Sequence, residues 1–352
     1  MHLADKLACQ HIKNLSPYQS ARRIGGKGHI WINANELPFA SNDFVLDSSS
    51  YHRYPDHSPD KLMQAYAAYA GLPRDRVLAT RGADEGIELL IRAFCYPGKD
   101  GIAQCPPTYG LYEISANIHH VTTFHATLNA DFSLNLDEVR KAPENTRVVF
   151  LCNPNNPTGN AFPQEVLLEV VEHFKDKALV VVDEAYMEFS PDCSLSQRLK
   201  DHENLVILRT LSKAFGLAGV HLGFVLAQKP VLDVLNRMIS PYPIAEPCAQ
   251  IGLQALAATG VEAMQRNVEK VLAIRKAFIE AIDTLPGVTN VYPTHTNFVL
   301  AVFADQQAAW QKLSAGGIVA RQQAHPMMKD CIRFSIGTQE EMTQCVEILK
   351  TC

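Results

Sequence analysis

The sequence predicts an α/β protein with a large, mostly parallel sheet flanked by helices and a smaller α+β unit at its C-terminal end. Three observations predict it. Short apolar runs at Val148–Cys152, Leu179–Val182, Leu205–Leu208 and Phe224–Ala227 are continuous rather than alternating, as strands buried on both faces require. Helical stretches lie between several of these runs, the pattern of βαβ units and a parallel sheet. Beyond Pro241 and Pro243 the pattern changes to a long helical stretch over residues 248–285, then a strand at Asn297–Val302.

Taken in chain order, residues 1–28 read as a polar arm without strong periodicity, closing on Gly25, Gly26, Lys27 and Gly28. Ile87, Leu90, Ile91 and Phe94 stand at i, i+3, i+4 and i+7, one buried face of a helix. The four apolar runs come next, each bounded by turn residues or charge. Residues after about 245 read as the second, smaller domain. The last helix is opened by Thr338 and Glu341, spaced as a capping box in which each side chain caps the other's backbone.

A chain of 352 residues, 47% of them hydrophobic, can bury the core of two domains or one large one. With 20% charged residues and a formal net charge of −5, it offers no electrostatic case for nucleic acid or an anionic membrane. Its nine cysteines are odd in number and form no CxxC pair. Buried thiols in a reducing compartment fit this better than a disulfide framework. The first residues lack the apolar segment of a signal peptide, and no apolar run approaches the roughly 20 residues of a membrane span. A soluble, cytoplasmic protein is expected.

Four segments carry chemistry. The run Leu179–Val182 leads straight into Asp183, a carboxylate at the C-terminal end of a strand, where open α/β sheets bind ligands. Alone it reads equally as an ordinary acidic loop. Leu205–Leu208 leads through Thr210 and Ser212 to Lys213, about one βαβ length after Asp183. Both groups should emerge at one edge of the sheet, and neighbouring strands are one arrangement that would bring them there. A carboxylate and a lysine converging there suit pyridoxal phosphate (PLP): the acid keeps the pyridine nitrogen protonated so that the ring draws electrons. The lysine must shed its proton, which a desolvated cationic site favours, and can then shuttle a proton.

Small residues around Gly82 and Ala83 open the helix that carries Ile87 and Leu90 and leave backbone N–H groups able to cradle a phosphate. Plain helix capping by Asp84 and Glu85 is the competing reading. Asn153–Gly159 is a rigid Asn-Pro turn whose amides could bond a ring hydroxyl. Two features carry no chemistry of their own. The Gly25–Gly28 run lacks a GK[ST] ending and GxGxxG is absent, while His119, His120 and His125 lack a further ligand at metal spacing.

Together these segments resemble the fold-type I PLP aminotransferases, and within them the histidinol-phosphate aminotransferase family, essentially end to end. The motifs are Tyr18–Arg23, Asn33–Glu36, Arg53–Pro55, Arg81–Phe94, Cys105–Gly110, Asn155–Gly159, Leu211–Phe215, and Ile332–Arg333 with Ile336–Thr338. The resemblance implies a large PLP-binding domain over 48–245 and a small domain built from 29–47 with 246–352. It implies Lys213 as the Schiff-base lysine and Asp183 as the partner of the ring nitrogen. Tyr109 would stack on the ring, and Asn156 and Tyr186 would bond its 3′-oxygen. Ala83, Asp84 and Ser212 would hold the phosphate. Tyr54 is similar to a tyrosine that reaches the partner subunit's site, implying a homodimer. Arg333 matches the arginine that binds the substrate anion, and Arg321, Tyr18 and Glu36 match other substrate-side positions, with Asn156 close by.

The activity implied is ping-pong transamination between histidinol phosphate and 2-oxoglutarate, giving imidazole acetol phosphate and glutamate in histidine biosynthesis. An arginine fork suits this, since it can bind either a carboxylate or a phosphate monoester. A related decarboxylase or aromatic aminotransferase would share the cofactor residues and differ only on the substrate side. A PLP-sensing regulator would need a DNA-binding region, for which the short arm leaves no room. At one position the sequence departs from the family pattern: His221 stands where an arginine that clasps the cofactor phosphate is expected. A histidine is shorter and carries charge only when protonated, a state a neighbouring phosphate dianion favours. Either the ring contacts the phosphate or it turns away and another group takes the arginine's place.

Overall fold

A computed structural model describes residues 2–16, 23, 25–40 and 43–351. Its centre is a seven-stranded sheet in the order Val77–Arg81, Leu222–Ala227, Leu205–Thr210, Leu179–Asp183, Thr146–Cys152, Gly101–Gln104, Thr122–His125. The four apolar runs read from the sequence are its middle and are buried along nearly their whole length. The three remaining strands are the first in the chain and the two at the far edge. Of these, Thr122–His125 is partly exposed throughout and too polar to announce itself.

Pairing is parallel from Leu205–Thr210 outward to Thr122–His125. Leu222–Ala227, however, pairs antiparallel with both of its neighbours, so the sheet is mixed. This reversal decides which side chains meet at the sheet edge. Asp183 lies opposite Cys152 and Leu208, at the carboxyl ends of three adjacent strands. Because Leu222–Ala227 runs the other way, its first residue pairs with Arg81, and Gly223 pairs with Thr210. The segment before it, including His221, therefore emerges at the edge where its neighbours end.

A four-stranded antiparallel sheet lies later in the chain, ordered Arg321–Gln322, Cys331–Ser335, Phe298–Phe303, Val288–Val291. Its third strand is the one foreseen at 297–302. Ile30–Trp31 pairs parallel with Ile318–Val319, which attaches the early chain to this C-terminal part. Thr338 and Glu341 form the predicted capping box on helix Gln339–Leu349.

The helical stretch expected over 248–285 is in fact two helices, Glu246–Ala255 and Ala258–Ile282. Ala257 between them is extended, and Gly260 then packs against the last carbonyls of the first helix. A Cβ there would lie 2.4 Å from the Ala255 oxygen. Neither a proline nor a polar cap marks the break, so periodicity runs through it. Among the described residues no helix is long and apolar enough to cross a membrane. Cys95, Cys105, Cys152, Cys331 and Cys345 are buried.

One buried ion pair ties the strand ends together. Arg209, next to the end of its strand, pairs at 2.7 Å with Glu184, the residue after Asp183; their side chains are 2% and 0% exposed. Glu184 also accepts from the Leu195 N–H, and Arg209 donates to Ser194 Oγ. With every charge answered, the pair is tolerable in the interior; with one member gone, the other is stranded. Glu184→Ala should cost about 3–5 kcal/mol of unfolding free energy in urea. The double variant Glu184→Ala/Arg209→Met should recover much of that loss. Equal midpoints for Glu184→Ala and the parent would show that the pair contributes nothing.

Candidate active site

The strand ends enclose a cavity of about 460 Å³, within the range of small-molecule sites. Lys213 and Asp183 both line it, and the strands that lead to them are neighbours. Asp183 is 2% exposed. Its Oδ2 accepts from the Tyr112 hydroxyl at 2.8 Å and its Oδ1 from the Ala185 N–H at 3.2 Å. Burial nevertheless outweighs these bonds and pushes the carboxyl up from 3.8 to about 6. Loss of hydration is the larger effect because a carboxylate needs more than two donors to replace water.

Lys213 Nζ donates to the Ala34 carbonyl at 3.2 Å. Burial, and next the Arg333 guanidinium, bring this amine down from 10.5 to about 8, while Asp84, Glu36 and Asp183 pull the other way. The Tyr109 hydroxyl donates to Asp84 Oδ1 at 3.2 Å, and its ring stands edge-on to Tyr112. Burial raises the Asp84 carboxyl, opposed by that hydrogen bond and by the charges of His221 and Lys213.

Ala83 and Asp84 lie in the first turn of helix Gly82–Phe94, which has no side-chain cap on its Arg81 N-cap residue. Glu85 bends back to accept from the Arg81 N–H and guanidinium, so the first-turn carboxylates leave the cavity-side amides to a ligand. Gly82 and Gly223 let the backbones approach here. A Cβ on Gly223 would lie 2.3 Å from the Gly82 carbonyl carbon, and Gly82 itself has a φ of +68°. Ser212 is held by Thr210, whose hydroxyl oxygen accepts from the Ser212 N–H at 3.0 Å.

From the other sheet, Arg333 reaches across to donate to Asn156 Oδ1 and to the Asn33 carbonyl. Arg321 pairs with it across the strands and also lines the cavity. The Tyr186 hydroxyl accepts from Asn35 Nδ2 at 2.9 Å, and the Tyr186 ring stands edge-on to Phe298. Glu36 is off the cavity wall yet near enough for its charge to act on Lys213. His221 lines the cavity, and its ring packs on Gly82. Tyr54 lies outside it, 81% exposed and stacked on Tyr242. Tyr18 falls outside the described residues.

Sequence reasoning missed Tyr112, Asn35 and Thr210, which hold Asp183, Tyr186 and Ser212. The position of Tyr112 three residues after Tyr109, in the first turn of helix Leu111–Ile118, and the asparagine of the Asn33–Glu36 motif were the available signals. Among the described residues no cluster of three or more His, Cys, Asp or Glu could hold a metal.

Known proteins resemble this chain in sequence and in fold. The aminotransferase class I and II profile matches residues 29–349, and the chain belongs to that family. The similarity narrows further. The histidinol-phosphate aminotransferase of Pseudoalteromonas atlantica is 47% identical over 348 residues, covering 97% of this chain and 94% of that one. That of Escherichia coli is 43% identical over 345 residues, covering 98% and 97%. Among solved structures, histidinol-phosphate aminotransferase from Sinorhizobium meliloti in complex with pyridoxal-5′-phosphate has the same fold. Its TM-score is 0.88 at 22% identity, with 98% of this chain and 97% of that one covered.

A raised carboxyl has a definite signature in the cofactor-free protein. The folded state keeps the Asp183 proton to higher pH than the unfolded chain, so its contribution to stability is full below pH 3.8 and is lost as pH rises through about 6. That loss is worth roughly 3 kcal/mol. Urea midpoints between about pH 4 and 7 should fall more for the parent than for Asp183→Asn, and above pH 6 the variant should be the more stable. Parallel curves would contradict the assignment.

Proposed function

We propose that this chain is a PLP-dependent transaminase that moves the amino group of L-histidinol phosphate to 2-oxoglutarate, giving imidazole acetol phosphate and L-glutamate in histidine biosynthesis. One observation carries the reading: Lys213, Asp183 and Arg333, from three strands or loops of two sheets, face a single cavity. Relatives of that name at 43–47% identity over nearly the whole chain support the substrate.

The residues present fit the cofactor. A buried carboxyl pushed up to about 6 calls for a cationic partner, an amine near 8 can give up its proton, and the uncapped helix start offers amides to a phosphate. Bound PLP supplies a cationic ring that withdraws electrons from the substrate carbon bearing the amine. Asp183 holds the proton on the ring nitrogen. Tyr109 covers the ring, and the amides of Ala83 and Asp84 with the Ser212 hydroxyl hold the phosphate. Arg333 occupies Asn156 Oδ1, which leaves the Asn156 amide to donate to the ring oxygen, and Tyr186 bonds the same oxygen. Lys213 Nζ would take the proton from the amine-bearing carbon and deliver it to the cofactor carbon on the far side of the nitrogen, two bonds away, as a base with a value near the working pH does best.

On the substrate side Arg333 is the fork for the carboxylate of one substrate and the phosphate of the other, with Arg321, Tyr18, Glu36 and Asn156 around it. The exposed Tyr54 completes the site of a second copy in a homodimer. The large domain over 48–245 holds the cofactor, and 29–47 with 246–352 form the small one. The working compartment is the cytoplasm.

The following measurements test this. Adding histidinol phosphate to PLP-loaded protein should shift the cofactor absorption band to that of the amine form, and Lys213→Ala should abolish turnover. Glutamate should form from 2-oxoglutarate with histidinol phosphate much faster than with phenylalanine; the reverse preference would replace the substrate assignment. Arg333→Lys should lower kcat/KM by about 10–100-fold for both half-reactions, the loss of one bidentate, charge-assisted contact. A loss confined to one substrate would show that the two anions do not share the fork.

A further inference from the structure

We infer that His221 binds the cofactor phosphate only in its protonated form, so that cofactor affinity in this protein is linked to the charge of one imidazole. The inference rests on the PLP-site reading proposed for this cavity. It begins from where the ring lies. His221 comes directly after a short 3-10 turn and sits in the left-handed region, at φ 57° and ψ 47°. Side-chain-bearing residues adopt that conformation uncommonly, and it marks a position held by its surroundings. There the ring packs on Gly82. A Cβ on Gly82 would meet Cε1 at 2.8 Å, Nδ1 at 2.9 Å and Nε2 at 3.4 Å. The two nitrogens and the carbon between them therefore face the first residue of the helix whose amides at Ala83 and Asp84 line the cavity. Gly82 itself has no side chain to stand between them.

The groups around the ring decide when it carries charge. On the cavity side are Asp84, Lys213 and Tyr109; on the outer side a second cavity, also walled by His221, is lined by Arg81, Glu85, Glu88 and His119. Arg81 is paired with Glu85, and Glu88 faces Arg92 and His119. Asp84 is the acidic neighbour on the cavity side, and burial raises its carboxyl. Against Asp84 stand two positive neighbours, Lys213 and the positive end of the helix. A phosphate dianion in the cavity reverses that balance, since it is drawn to the same helix end and to the ring. Phosphate binding and ring protonation then favour each other, and by linkage the affinity must fall as the ring loses its proton. An arginine in this place would stay charged throughout and confer no such dependence.

The test uses pyridoxamine 5′-phosphate, which makes no bond to Lys213, so titration of the lysine does not enter through bond formation. Its Kd is measured by calorimetry between about pH 6 and 8.5 for the parent, His221→Arg and His221→Gln. All other ionisations are common to the three proteins and cancel in ratios. The Kd of the parent relative to His221→Arg should rise by about tenfold across this range, whereas the Kd of His221→Gln relative to His221→Arg should stay flat. Pyridoxamine without its phosphate should show no difference among the three. A constant parent ratio, or a glutamine variant that tracks the parent, overturns the role of His221 while leaving the cofactor reading intact. Failure of all three proteins to bind pyridoxamine phosphate, and to take up PLP by absorbance, overturns the cofactor reading and this inference with it.

Discussion

Placing a carboxylate at the end of a fully buried strand removes it from water, and much of the site is arranged around that one desolvated group. Asp183 receives a hydroxyl and one amide, too little to restore its ordinary acidity, so it retains a demand for positive charge. Lys213, an amine on the same cavity, is itself discouraged from supplying it, by burial and by Arg333. An acid in want of a cation and an amine ready to lose its proton thus coexist without cancelling each other. A ligand that brings its own cationic nitrogen and accepts an amine resolves both conditions at once.

That arrangement depends on register. Parallel pairing sets Asp183 opposite Leu208, and antiparallel pairing sets Thr210, two residues further on, opposite Gly223. A shift of one residue would turn each side chain to the opposite face of the sheet. Glu184 and Arg209 pin the two loops that carry the acid and the lysine, each standing one position along the chain from the residues that face the cavity. Their pairing lies deep enough that it holds only as a complete, hydrogen-bonded set.

Much of this was legible in the sequence, and the reasons differ by element. The central strands announced themselves because strands buried on both faces must be apolar throughout, as Leu179–Asp183 and Leu205–Thr210 nearly are. Asp183 and Lys213 could be placed at one edge because each closely follows such a run. Three things were not legible. The reversed direction of Leu222–Ala227 leaves no trace in composition, since buried parallel and antiparallel strands draw on the same residues. The break at Ala257 has no cap or proline. Tyr112, Asn35 and Thr210 act through other side chains, and such contacts, most of them between elements distant in sequence, exist only once the chain has folded. Motif resemblance assigned the substrate side, which spacing alone could not have done.

Arg333 has a further consequence in terms of entropy. Its guanidinium is already anchored by the Asn33 carbonyl and Asn156 and lies over the Phe298 ring, 5.3 Å from its centroid. An arginine left mobile would surrender on the order of 2 kcal/mol of rotamer freedom when an anion fixed it. Here that freedom was surrendered when the chain folded, so an anion entering the cavity would meet a fork already set. The sequence distance between Asn33 and Arg333 then matters in its own right: the guanidinium is fixed only when two parts of the chain 300 residues apart have come together.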